Sequence, residues 1–163
     1  MDLYPWVVFL HVLGAFGFVM AHGASAFVSI SMRRQASPER VAAMLNVSML
    51  SIGMMYTSLL LLIVAGVIAG FMGSWWGQGW IWAAIGLLVL MLIFMYSMAT
   101  NYYVQVRDAA GVPSGRGPKD AGPPVASPER LSELLDSTRP FTLAGVGGIG
   151  LLLIIWLMVV KPF

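Results

Sequence analysis

Apolar residues fall in four long runs. The first extends from about Trp6 to Ile30 and stops at Arg33 and Arg34. The second covers about Met49 to Met72, the third begins at Trp80 and loses its apolar character between Thr100 and Tyr103, and the fourth covers Phe141 to Val160. Each holds about 20 mostly apolar residues, the length that crosses a ~30 Å hydrocarbon layer as a helix. Asp, Glu, Lys and Arg are absent from all four runs. The pattern predicts an all-α fold, a four-transmembrane-helix bundle with spans at about 6–30, 49–72, 80–103 and 141–160. The whole chain, 1–163, reads as a single integral membrane domain.

Polar positions sort by loop. Arg33, Arg34 and Arg40 lie between the first two runs; Arg107, Arg116, Lys119, Arg130 and Arg139 lie between the last two. The loop between runs two and three carries no charge. Cationic loops face the cytoplasm, so the expected topology is N-out and C-out in a bacterial cytoplasmic membrane. Tryptophan agrees: Trp6, Trp75, Trp76, Trp80, Trp82 and Trp156 fall near the expected outer interface, with Tyr102 and Tyr103 at the inner one. No Lys or Arg precedes the first run, so it does not read as a cleavable signal peptide.

Composition supports the same class. Of 163 residues, 59% are hydrophobic and 10% charged, and the mean hydropathy is +0.84. A soluble domain of this size cannot hide that much apolar surface. An ordinary soluble domain, a disordered chain and a nucleic-acid binder are excluded, and the lipid bilayer is the expected surrounding. Cysteine is absent, which excludes disulfides, iron–sulfur clusters and thiolate metal sites.

Ser37-Pro38-Glu39-Arg40-Val41 recurs as Ser127-Pro128-Glu129-Arg130-Leu131. In each copy Ser suits a helix cap, Pro the first helical position, and Glu the positive end of the helix dipole. The first copy predicts a helix continuing into span two. The second predicts a short helix from Pro128 to about Leu135, before Pro140 opens span four. Two repeated hairpins related by a parallel duplication would give this pattern; so would chance recurrence of a common helix start. Residues 105–126 hold several prolines and glycines and read as a flexible cytoplasmic linker.

Candidate chemistry is confined to span one. His11 and His22 are the only intramembrane groups that titrate near neutral pH, and such residues point to function. Eleven helical steps of ~100° leave ~20°, so both imidazoles share a face, ~16.5 Å apart along the axis. Gly14, Ala15, Phe18, Ser25, Ala26 and Ser29 lie on the same face. A stripe of small residues admits another helix or a flat macrocycle. Haem b needs an axial imidazole and space beside it. His11 and His22 are therefore candidate haem ligands in an electron-transfer protein or subunit, with Gly14, Ala15, Phe18 and Ser25 beside the cofactor. The second axial ligand would come from the same helix of a second copy or from one of twelve methionines, among them Met91, Met95 and Met98 on one face of span three. Five-coordinate haem is a further option.

Two other readings stand beside this one. Neutral histidines can hydrogen-bond a hydroxyl or a carbonyl on a neighbouring helix, in a cofactor-free accessory subunit of a larger membrane complex. Ser48, Ser51, Tyr56, Thr57, Ser58 and Ser97 are the hydroxyls within reach of that idea. Alternatively, imidazole with soft methionine suits copper(I). Gly66 with Gly70, and Gly145, Gly147, Gly148 and Gly150, mark close helix approach in the bundle or at a homo-oligomer contact. No nucleophile, general-acid pair or metal triad can be assembled, so a stand-alone catalyst is not expected.

Phe9-Leu10-His11-Val12-Leu13-Gly14-Ala15 resembles the opening helix of a bacterial family known as predicted integral membrane proteins of unknown function. More distantly, it is similar to the membrane domain of copper-resistance D proteins. A first-helix histidine is also found in the membrane-bound protoporphyrinogen oxidases. The oxidase likeness implies a haem role for His11 alone. The copper-resistance likeness implies copper handling through His11 and His22.

Overall fold

The computed structural model describes residues 2–35, 37–113 and 124–163. These residues form α1 (Tyr4–Met32), α2 (Pro38–Met72), a 3-10 turn (Trp75–Gly77), α3 (Gly79–Ala109), α4 (Pro128–Leu135) and α5 (Arg139–Val160). No strand occurs among them. Four helical segments are long and apolar enough to span a membrane: α1, α2, α3 and the run from α4 through α5.

Local chemistry sets the boundaries. The Ser37 hydroxyl accepts from the Arg40 backbone N–H at 3.3 Å, and Glu39 sits in the first turn of α2. With its first turn held in this way, α2 starts well before its apolar stretch and runs unbroken through the bilayer. It ends at Gly73; Ser74, at φ 55°, then turns the chain into the 3-10 segment. The second Ser-Pro-Glu-Arg copy starts differently. Ser127 makes no side-chain cap, and its backbone N–H donates to the Ala109 carbonyl at 2.9 Å. That bond ties the start of α4 to the end of α3. Pro140, fully buried in the first turn of α5, has no N–H to continue a helix from α4, so the chain bends at Asp136–Thr138. Helix α3 continues through Gln105 to Ala109, so the connection to α4 begins later than the composition implies. Residues 114–123 of the expected linker lie outside those described.

Packing divides the chain into two hairpins. Helix α1 lies along α2, and α3 along α5. The hairpins meet chiefly through α1 and α5, whereas α2 and α3, consecutive in the chain, touch little. At the end with the charged loops, Met32, Val41, Leu45, Tyr102, Val106, Leu131 and Leu135 form a buried cluster. Val41 and Leu131 occupy the same place in the two Ser-Pro-Glu-Arg copies, as do Leu45 and Leu135, and all four are buried there. In α1 and α3, Gly14 and Met91, Ser29 and Val106, and Met32 and Ala109 are buried pairs separated by one common interval. Several matching positions are thus buried in both hairpins, as a duplication would give, although Ser127 does not cap α4 as Ser37 caps α2.

The opposite end is an aromatic rim. Trp75 donates its indole N–H to the Tyr4 hydroxyl at 3.0 Å, and Trp82 donates to the Trp76 carbonyl at 2.9 Å. The Trp80 backbone N–H donates to the Phe163 carbonyl at 3.2 Å. Lys161 lies 4.4 Å above the Trp75 ring and 5.5 Å from that of Trp80. Both chain ends are thereby fastened to the turn between α2 and α3. Rings with polar tips suit this depth, where an apolar body meets water.

Gly14 sets the closest approach between helices. A Cβ added there would stand 2.7 Å from the Leu62 backbone nitrogen and 2.9 Å from its Cα. Backbone cannot yield as a side chain does. We expect Gly14→Ala to destabilise the purified protein by about 1–3 kcal/mol, the usual range for overpacking. Gly53→Ala, with open space around the new methyl, should be neutral. Thermal unfolding of both variants in detergent, followed by circular dichroism, checks the contrast; equal melting temperatures would refute it.

Candidate functional site

Helix α1 carries every candidate. Its face presents His11, Gly14, Phe18, His22, Ser25 and Ser29, and the neighbours of that face change along the helix. Along its N-terminal half the face meets α2; nearer its C-terminal end, His22 meets α5.

His11 is held by α2. Its Nδ1 lies 2.8 Å from the Leu62 carbonyl oxygen. A carbonyl only accepts, so Nδ1 carries the proton and donates it. In the neutral ring Nε2 then keeps its lone pair, on the far side of the ring from Leu62. Gly66 makes this possible. A Cβ on Gly66 would stand 2.8 Å from Nδ1 and 2.9 Å from Cε1, so only glycine leaves the imidazole its seat. The partner is a carbonyl, one of the two kinds expected. Among the described residues no histidine bonds a hydroxyl: Thr57 donates to the Gly53 carbonyl and Ser97 to the Phe94 carbonyl, each within its own helix.

His22 is placed otherwise. Its Nε2–Cε1 edge lies against Gly147 of α5. Nε2 is buried and has no hydrogen-bond partner among the described residues, and the same holds for the Ser25 hydroxyl one turn further along α1. Two polar atoms without partners on one buried face are unusual, since buried polar groups are nearly always bonded. The Met95 methyl group borders the same glycine, 3.4 Å from where its Cβ would be. Met91 packs on Gly150, the next glycine on that face of α5.

Ser29 closes the row. Its hydroxyl donates to the Ser25 carbonyl at 2.8 Å and is bonded to the Tyr103 hydroxyl. With the Ser29 proton committed to Ser25, Tyr103 is the donor in the second bond. That links α1 to α3 across the bundle.

The face is thus divided among different tasks. Gly14 is buried against the α2 backbone, so its small surface admits a helix. Phe18 is buried and Ala15 half-buried. Leu62, Gly66, Gly147 and Met95 complete the surroundings of the two histidines; of these only Met95 was named from the sequence as a candidate ligand beside a histidine. Gly66 and Gly147 stood out as packing glycines; what they receive is a side chain. No group of three or more His, Asp or Glu residues that could hold a metal occurs among the described residues.

No curated protein and no solved structure matches the chain. The likeness of the first span to copper-resistance and oxidase proteins finds no matching relative there. A family model matches residues 5–162, nearly the full length and all four spans. The chain belongs to that family, described as predicted integral membrane protein (DUF2269).

Proposed function

We propose that the protein is a membrane redox carrier that takes one haem b through His11. The observation behind this reading is the bond from Nδ1 to the Leu62 carbonyl. It selects the tautomer with Nε2 free and orients the ring, which is the support that metal-ligating histidines receive from their surroundings. Gly66 and Leu62 hold the imidazole in place. A bound haem would supply one-electron transfer. His22 does not fit a second haem, because its Nε2 is turned onto Gly147 and the α5 backbone stands where a macrocycle would go. The reading thus narrows from two haems to one. A second copy's His11 would complete six-coordination in a homo-oligomer; a monomer would leave the iron five-coordinate.

A reduced-minus-oxidised visible spectrum of the purified protein tests this, with haem quantified against protein. A sharp α-band is expected. It should vanish in His11→Ala and persist in His22→Ala, both checked for folding by circular dichroism. A flat spectrum from folded protein would overturn the reading and favour a cofactor-free accessory subunit.

His22 supports a second reading. Its Nε2, without a hydrogen-bond partner among the described residues, borders Gly147 as the Met95 methyl group does, and imidazole with thioether suits copper(I). Titration against a chromogenic copper(I) chelator should give one ion per chain. Binding should be lost in His22→Ala and Met95→Leu and unchanged in His11→Ala. Absence of stoichiometric binding by the folded protein would eliminate copper handling.

We further infer that both termini face away from the cytoplasm of a bacterial inner membrane, from the cations on the two longer loops. The chain has no cysteine, so single introduced thiols report topology cleanly. A membrane-impermeant maleimide added to intact spheroplasts should label Ser74→Cys and spare Gln35→Cys. The reverse pattern would invert the topology.

A further inference from the structure

At the charged-loop end, α3, α4 and the start of α5 enclose a cleft of about 200 Å³, and Arg130, Arg139, Gln105, Ser137 and Glu133 line it. Tyr102 and Leu134 line it as well, with the Tyr102 hydroxyl donating to the Leu134 carbonyl at 3.1 Å. Two guanidiniums face one carboxylate, so the lining is cationic. Arg130 is oriented by Glu133 at 2.5 Å and by the Gln105 side-chain oxygen at 3.1 Å. The Arg139 guanidinium has no hydrogen bond or ion pair among the described residues. Arg33 is not available to a ligand. It donates to the Leu135 and Asp136 carbonyls at 2.8 and 3.0 Å and lies 4.7 Å from the Phe141 ring centre. It fixes the corner between α4 and α5 that shapes the cleft.

Height in the membrane narrows the ligand. The apolar run of α3 gives out near Tyr102, and that of α5 begins at Phe141. The cleft therefore lies where hydrocarbon gives way to headgroups. Phe141, Val146 and Ile149 are exposed on α5, which descends from it. A ligand matched to cations above and apolar surface below is an anionic amphiphile.

We propose that this cleft binds the phosphate of an anionic glycerophospholipid, with Arg139 and Arg130 on the phosphate and the acyl chains along α5. Planar guanidiniums match phosphate geometry with paired N–H groups, and basic pockets between spans at this depth are suited to lipid headgroups. Glu133 opposes the anion while it orients Arg130, so its charge sets the affinity in a known direction.

Native mass spectrometry of the full-length protein in detergent tests this. The probes are phosphatidylglycerol and phosphatidylcholine of identical acyl chains. Phosphatidylglycerol should be retained at least tenfold better. Arg139→Gln should lower its retention at least fivefold, and Glu133→Gln should raise it. Arg107→Gln, whose guanidinium is bonded to the Pro113 carbonyl, serves as the control and should leave retention unchanged. Equal retention of the two lipids, or no response to Arg139→Gln in folded protein, would overturn the proposal. Displacement of the lipid by millimolar inorganic phosphate would also overturn it and reassign the cleft to a soluble phosphate compound.

Discussion

Everything in this fold depends on how closely α1 can approach its neighbours. In a bilayer, lipid tails cover apolar side chains as well as another helix does, so burial gives little reason for spans to associate. Close backbone contact and a few polar links take its place. Gly14 supplies the first, with the Leu62 backbone at van der Waals contact. The bond from His11 to Leu62 supplies the second at nearly the same point. Leu62 is thus met by both a glycine and an imidazole of α1, one turn apart. The second hairpin is met in a related way, with His22 on Gly147 of α5 and Tyr103 of α3 bonded to Ser29.

The spans were legible because the requirement is blunt: about 20 apolar residues, no charge and a polar break. The short α4 was legible from its Ser-Pro-Glu start, and α2 from the earlier copy of the same motif. The span-one face was legible as well, since ~100° per residue places His11 and His22 together whatever surrounds them. The neighbours of that face were not. Periodicity within one helix does not say which other helix lies opposite, and α1 has different neighbours at its two levels. Gly66 and Gly70 share one face by spacing, yet one receives an imidazole and the other the Trp76 indole. Their spacing indicates closeness without indicating what comes close. The hydrogen-bond partner of His11 is a main-chain carbonyl, which any residue supplies, and a glycine shows that something comes close without showing that it is an imidazole.

The two ends of the molecule solve different problems. One end carries cations and a tightly buried cluster, and there Arg33 satisfies two carbonyls at the end of α4 that the bend before Pro140 leaves free. The other end has few charges and gathers indole and phenol rings around Lys161 and the chain termini. Charge and aromatic rings thus hold the bundle at its two water boundaries, and small residues hold it between them.

The sparse contact between α2 and α3 bears on the order of assembly. Helices α1 and α2 form a pair whose closest contacts, at Gly14 and His11, involve no residue of the second hairpin. Such a pair can close as soon as its second helix has entered the bilayer. The second hairpin then finds its place on the free side of α1, without having to separate α2 from it. Spans that emerge in sequence from a translocation channel can in this way make the bond from His11 to Leu62 before the last of them has arrived.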